Sequence, residues 1–293
     1  MRLRFRIEAA AFDALVVMAG MTPRPLLLAA GSTAGTVGRW LDRRHARIAR
    51  ENLLLAYGDT LSKEEVSRIV AACWRHFGRI TFDSLKFPER SASDAGTLVR
   101  YEGLEHIRAA YARGKGVLLF SAHYGSWEMV ALMQGFLGMP LSLVTRPLDN
   151  PALERMLADL RGRSGNGIIH KRRAVREMIK TLHGGGGIAI VIDQDARGDG
   201  VFVPFFGVAA STTPTLALLA LRTGAAVMPV VSTLEEDGTY RVRYEAEIPV
   251  AATGDRDGDV RRVTAECTAA IERWVRERPE QWLWMHRRWE SRR

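Results

Sequence analysis

His123 and Glu128 stand five residues apart in the segment Ser121-Ala122-His123-Tyr124-Gly125-Ser126-Trp127-Glu128. On a continuous helix that separation turns two side chains apart by about 140°. On a continuous strand it sends them to opposite faces. They converge only if the backbone turns between them. Gly125 permits such a turn, and Ser126 is suited to cap a following helix. Glu128 then falls in the first helical turn, where the macrodipole favours its ionised form. A carboxylate bonded to one imidazole nitrogen fixes the tautomer and makes the other nitrogen more basic. Such a pair can deprotonate a hydroxyl. A histidine with a nearby glutamate is also an ordinary structural pair, and spacing alone does not separate the two readings.

A second group of polar residues follows a later apolar run. Asp193-Gln194-Asp195-Ala196-Arg197 is succeeded by Val201-Phe202-Val203-Pro204-Phe205-Phe206-Gly207. Asp193 and Asp195 could bind a metal, orient a basic group or cap a turn. Phe205 and Phe206 could line an acyl pocket or fill the core. Arg146, beyond another short apolar run, could hold a phosphate, stabilise an oxyanion or form a surface ion pair.

These residues need a scaffold that brings strand ends together. Val117-Leu118-Leu119-Phe120 and Ile188 to Ile192 read as buried parallel strands. Leu141 to Val144 and Val227 to Val231 read as further strands, and 240–248 as a more exposed one. Helical patterns occupy 126–137, 151–162, a stretch marked by Val175, Met178, Ile179 and Leu182, then 213–223 and 259–277. Strands alternating with helices predict an α/β fold with a mostly parallel mixed sheet flanked by helices, whose ligands bind beyond the carboxyl ends of the strands. Upstream, 62–86 reads as an amphipathic helix with Ser62 and Glu65 as a capping box. Residues 1–60 read as helices broken by Pro23 and Pro25. The expected layout is an N-terminal helical region over 1–95 and an α/β core over 96–293, forming one continuous domain.

The chain has 293 residues, with 47% hydrophobic and 26% charged, which excludes a disordered or collagen-like polymer. Two cysteines exclude a disulfide framework and a multi-cysteine zinc module, and both read as buried thiols. The formal net charge is +9, which suits an anionic partner without choosing among nucleic acid, acidic lipid and an acidic carrier. The arginines cluster at 2–6, 39–50 and 287–293, with Lys171-Arg172-Arg173 between. Moderately long apolar stretches lie beside the first two clusters, a combination that fits an interfacial helical region at an anionic membrane. No run of 18 uncharged apolar residues is present, so a membrane span is not expected.

At these segments the sequence resembles the bacterial lipid A biosynthesis acyltransferases of lauroyl and myristoyl type, within the wider glycerolipid acyltransferase-like group. The matching segments are His123-x4-Glu128, Arg146-Pro147, Asp193-Gln194-Asp195, and Val201 to Gly207 with Thr212-Thr213-Pro214. Pro279 to Trp289 and the early Arg50-Glu51-Asn52-Leu53 also match. The resemblance implies a glycerolipid acyltransferase-like fold. It implies transfer of a fatty acyl group from acyl carrier protein or acyl-CoA to a hydroxyl of a lipid A precursor or a related glycolipid. Phosphatidylinositol mannoside is an alternative acceptor. It implies no metal and no cofactor. The expected place is the cytoplasmic face of the bacterial inner membrane, attached peripherally or monotopically. His123 becomes the general base and Glu128 its orienter, with Arg146, Asp193, Asp195, Phe205 and Phe206 at the substrate. A thioester is already activated, so no covalent enzyme intermediate is required. No Gly-x-Ser-x-Gly elbow is present, which argues against a serine-hydrolase route. Two other classes set the contrast. A metal-dependent hydrolase would use His123, Glu128, Asp193 and Asp195 as ligands. A charge-driven nucleic-acid or membrane-binding module would ignore His123, and no nucleic-acid motif is recognisable.

Overall fold

The structure is a computed structural model that describes residues 3–145, 148–170 and 174–292. Arg146, Pro147 and the run 171–173 lie outside the described residues.

Three helices open the chain: α1 (Leu3–Met21), α2 (Arg24–Leu41) and α3 (Arg43–Tyr57). Pro25 sits in the first turn of α2, where its missing N–H costs nothing. Asp42 caps α3 by accepting from the His45 N–H. Helix α4 (Lys63–Ser84) begins with the expected capping box, Ser62 and Glu65 bonding each other's backbone. Helices α2 and α4 cross at Gly31, Gly35 and Gly78, where any Cβ would overlap the facing backbone, so bare glycine is what allows this contact. The N-terminal layer is tied to the sheet through buried Asp83, which accepts two bonds from Arg24 at 2.7 and 2.9 Å and one from the Tyr240 hydroxyl at 2.6 Å.

The α/β part runs α5 (Asp94–Thr97), β1 (Val99–Glu102), α6 (Leu104–Ala112), β2 (Val117–Ser121), α7 (Trp127–Phe136), β3 (Leu141–Thr145) and α8 (Pro151–Gly162). It continues with β4 (Gly167–His170), α9 (Ala174–His183), β5 (Gly187–Val191), the hairpin β6 (Val201–Phe205) and β7 (Val208–Thr212), and α10 (Thr215–Thr223). The last elements are β8 (Ala226–Leu234), β9 (Tyr240–Tyr244) and α11 (Arg256–Glu277). Among the described residues, seven strands form one sheet in the order β1-β9-β8-β2-β5-β3-β4. All neighbours are parallel except β8 and β9, so the sheet is mixed and mostly parallel, as expected.

Both faces are covered, as the continuous apolar strands require. Along β2 the side chains alternate. Leu118 and Phe120 join the cluster built by α9, α10 and α11, and Val117 and Leu119 join the one built by α6 and α7. Strands β1, β4, β6 and β7 and helix α6 were not anticipated. β1 and β4 are four-residue strands at the two ends of the sheet, too short to show a period. Both cysteines are buried, and burial pushes the Cys73 thiol up to about 12.

Candidate active site

Strands β2 and β5 are parallel neighbours, and Ser121 lies level with Val191. His123 stands two residues past the first and Asp193 two residues past the second. Adjacent strands are only about 4.8 Å apart, so equal overhangs place these residues side by side. The Nδ1 of His123 lies 2.8 Å from Asp193 Oδ1, and the His123 backbone N–H donates to Asp193 Oδ2 at 2.9 Å. A carboxylate can only accept, so Nδ1 carries the proton and Nε2 presents a lone pair. Nε2 has no hydrogen-bond partner among the described residues, and the ring lines an open cleft.

Burial alone would lower the basicity of His123. The charge and hydrogen bond of Asp193 outweigh it, with a smaller push from Glu128, and the imidazole ends above its ordinary value of 6.5. Burial would raise Asp193, but the charge and bond of His123, with smaller contributions from His286 and Trp282, hold it well below the usual carboxylate range.

The backbone after His123 turns at Gly125, with φ +53°. A Cβ there would overlap the carbonyl oxygen of Ser232, so the position excludes every other residue. Ser126 takes the N-cap position of α7 but its side chain makes no capping bond, contrary to expectation. Glu128 does fall in the first turn of α7, but its carboxylate accepts two bonds from Arg161 of α8, at 2.7 and 3.3 Å. The expected orienter therefore acts on the ring only through space. The carboxylate on the imidazole is Asp193.

A cleft of about 220 Å³, open to solvent, lies between α7 and the sheet. Its walls include Leu119, Val130, Leu141, Leu143, Ala189 and Val230, while His123, Trp127, Glu128 and Arg161 stand at its polar end. The Trp127 ring meets the His123 ring edge-on, 5.0 Å between centroids.

Of the remaining expected site residues, the described ones, Asp195, Phe205 and Phe206, lie elsewhere. Arg146 lies outside the described residues. Asp195 accepts from the backbone of Arg197 and from the backbone and hydroxyl of Ser291, which makes it a turn anchor. Phe205 and Phe206 do not line the cleft. Phe205 stacks on Trp289 and meets Trp282, and Phe206 meets Tyr57 and Trp284. The β6–β7 hairpin faces α11 and the aromatic core, so these rings bury against other rings. Among the described residues no group of three or more His, Cys, Asp or Glu is arranged to hold a metal ion.

The closing segment locks the site from behind. Leu283 donates to the His123 carbonyl at 3.0 Å, Gly125 donates to Gln281 O at 2.8 Å, and Trp282 Nε1 donates to Asp193 Oδ2 at 2.8 Å. His286 Nε2 lies 3.0 Å from the Asp193 carbonyl. Buried Arg288 donates to Gln194 O, Ser211 O and Thr212 Oγ1, and burial lowers it to about 10. Asn52 of α3 donates to the carbonyls of Trp284 and His286, so the early Arg-x-Asn-Leu segment meets the closing segment in space. Sequence reading missed two residues here, Arg161 and Trp282. No short-range pattern marks Arg161, which reaches Glu128 from 33 positions away.

The chain matches the model of the family described as bacterial lipid A biosynthesis acyltransferase over residues 5–291. It is 29% identical over 273 residues to the lipid A biosynthesis palmitoleoyltransferase of Escherichia coli (strain K12), covering 92% of this chain and 87% of that one. It is also 29% identical over 277 residues to the lipid A biosynthesis lauroyltransferase of the same organism, covering 92% and 87%. A phosphatidylinositol mannoside acyltransferase of Mycolicibacterium smegmatis is 24% identical over 227 residues, covering 75% of this chain and 72% of that one. The chain therefore belongs to the bacterial lipid A biosynthesis acyltransferase family and is an O-acyltransferase.

Proposed function

We propose, from that membership and from the site, that the protein moves a fatty acyl chain from the thioester of acyl carrier protein or coenzyme A to a hydroxyl of a lipid A precursor or a related glycolipid. The observation that carries this reading is the Asp193-held His123, its Nε2 without a partner among the described residues, in a mostly apolar cleft. The acyl chain lies in the cleft, where each buried methylene is worth about 0.8 kcal/mol. The acceptor hydroxyl gives its proton to Nε2 as its oxygen attacks the thioester carbonyl carbon. Asp193 stabilises the imidazolium that forms. The tetrahedral oxyanion collapses, the C–S bond breaks, and the departing thiolate takes the proton back from Nε2. Arg161, held by Glu128 at the same end of the cleft, is the described cation nearest in kind to what the developing oxyanion needs.

The acceptor is a lipid A precursor in preference to a mannoside. The two Escherichia coli lipid A relatives cover 92% of the chain at 29% identity, against 75% at 24% for the mannoside relative.

The reaction is placed at the cytoplasmic face of a bacterial inner membrane, with the first helices lying on it. No helix among the described residues is long and apolar enough to cross a membrane. The support is a surface: Met21, Leu26, Val37, Trp40 and Leu41 are exposed apolar groups of α1 and α2. They run into an open cleft lined by Arg39, Arg43, Arg47 and Arg50. Apolar side chains beside guanidinium groups suit an anionic lipid interface.

The test is acyl transfer from a thioester in a lipid-containing assay. The folded His123→Ala variant is expected to lose about 10²–10⁴ in rate. Normal turnover by that variant overturns the reading. Mass spectrometry of membrane lipids from cells with and without the protein then identifies the acceptor and the chain length together.

A further inference from the structure

Asp193 is held from three directions. His123 takes Oδ1 through its ring and Oδ2 through its backbone N–H, and the indole of Trp282 donates to Oδ2 at 2.8 Å. The carboxylate side chain is 1% exposed, so water is not there to replace a missing donor. Trp282 is itself fully buried. Its ring is enclosed by Phe205, Trp284, His286 and Trp289, at 4.6–6.3 Å between centroids. The ring contacts ask only for an aromatic side chain and do not by themselves require a hydrogen-bond donor. The indole adds one, and a buried indole N–H needs a partner.

The Trp282 backbone cannot swing. It bridges Tyr124 in antiparallel fashion, and its carbonyl accepts from Cys73 Sγ at 3.2 Å. The next residue, Leu283, donates to the carbonyl of His123. One short segment therefore grips the histidine by its main chain and the histidine's carboxylate by an indole.

We propose that Trp282 is a positioning residue for acyl transfer, its N–H fixing the Asp193 carboxylate on His123 Nδ1 and drawing on charge that would otherwise fall more heavily on the imidazole. This rests on the reading of His123 as the base. With the indole removed, Oδ2 keeps only the His123 backbone N–H, so Asp193 places more of its charge on the ring and is held less firmly. The imidazolium is then held more tightly, so neutral base appears at higher pH and is less well aimed. Among the described residues, the other charged or titratable groups facing the pair are Glu128 from α7, paired with Arg161 of α8, and His286 and Arg288 from the closing segment. Neither of the last two donates to the Asp193 carboxylate. His286 meets its main-chain oxygen instead.

The neighbouring Trp284 is a matched control. It is equally buried, but its indole donates to Pro279 O at 2.7 Å. Trp282→Phe and Trp284→Phe are compared with wild type and with His123→Ala by the pH dependence of kcat/KM, by kcat and KM, and by thermal unfolding. Both tryptophan variants are expected to lose stability. Trp282→Phe alone is expected to move the acid limb upward by about half to one pH unit and to cut kcat about tenfold, with KM unchanged. Should Trp282→Phe fail to fold, benzothienylalanine at 282 keeps the bicyclic shape and replaces the N–H by sulfur. An acid limb and kcat matching those of Trp284→Phe overturn the proposal while leaving His123 as base. Normal turnover by His123→Ala instead removes the reading beneath it.

Discussion

The strand ends at Asp193 and the helix start at Glu128 each bring a carboxylate to the same cleft, in opposite surroundings. Asp193 is 1% exposed and accepts from one imidazole, one amide and one indole. Glu128 is 38% exposed and answers to one guanidinium. A buried carboxylate with every bond assigned has one orientation, which suits the holding of a tautomer. A half-exposed one tolerates movement, which suits the role proposed for Arg161 beside a developing charge. Burial, more than distance along the chain, separates a group that fixes geometry from one that tunes charge.

The contrast is broken most directly at Asp193. Asp193→Asn keeps the shape but offers the imidazole an amide, and the ring is no longer held in the tautomer that bares Nε2. A loss of about 10³–10⁴ in kcat is expected, by analogy with the aspartate of serine proteases. Glu128→Gln removes a screened charge and one arm of an Arg161 contact, and about tenfold is expected. Steady-state kinetics on folded variants checks both. Equal losses would erase the distinction between the two regions.

A smaller effect sharpens it. The wild-type acid limb of kcat/KM is expected above 6.5, because Asp193 and Glu128 together outweigh burial at His123. Removing the negative charge of Glu128 makes the imidazolium less favourable. The limb of Glu128→Gln should therefore move down, by a few tenths of a pH unit. An upward move would mean that Glu128 does not act on the ring as a charge.

Much of this was legible in the sequence. Apolar runs at 117–120 and 188–192 fixed the strands, and the turn at Gly125 put His123 and Glu128 at a strand end. What misled was treating spacing as local. Glu128 is near His123 in sequence, so it looked like the partner. The true partner is 70 positions away and is selected by sheet order, because β5 lies beside β2. A better signal was present: each acid or base stands two residues past its strand. Phe205 and Phe206 were misplaced for a related reason. An aromatic run suits a pocket and a core equally well, and only the packing of the closing segment decides between them.

The pair at the strand ends has one further consequence, opposite in sign for folding and for catalysis. His123 is raised in the folded state, so its contribution to stability is full below 6.5 and fades as pH rises through the folded value. Asp193 is depressed, so its contribution is present above 3.8 and is lost only as pH falls through its folded value. Between those two limits both act, and wild type should exceed His123→Ala in thermal stability by the widest margin. Above 6.5 the margin should narrow while turnover climbs, because the neutral imidazole that the proposed mechanism uses is the form Asp193 holds less strongly. Thermal scans of the two proteins from pH 5 to about 8.5 measure it. A margin that stays flat, or widens, across that range would mean the imidazole does not take up its proton against Asp193, and the ring would then be held by packing alone.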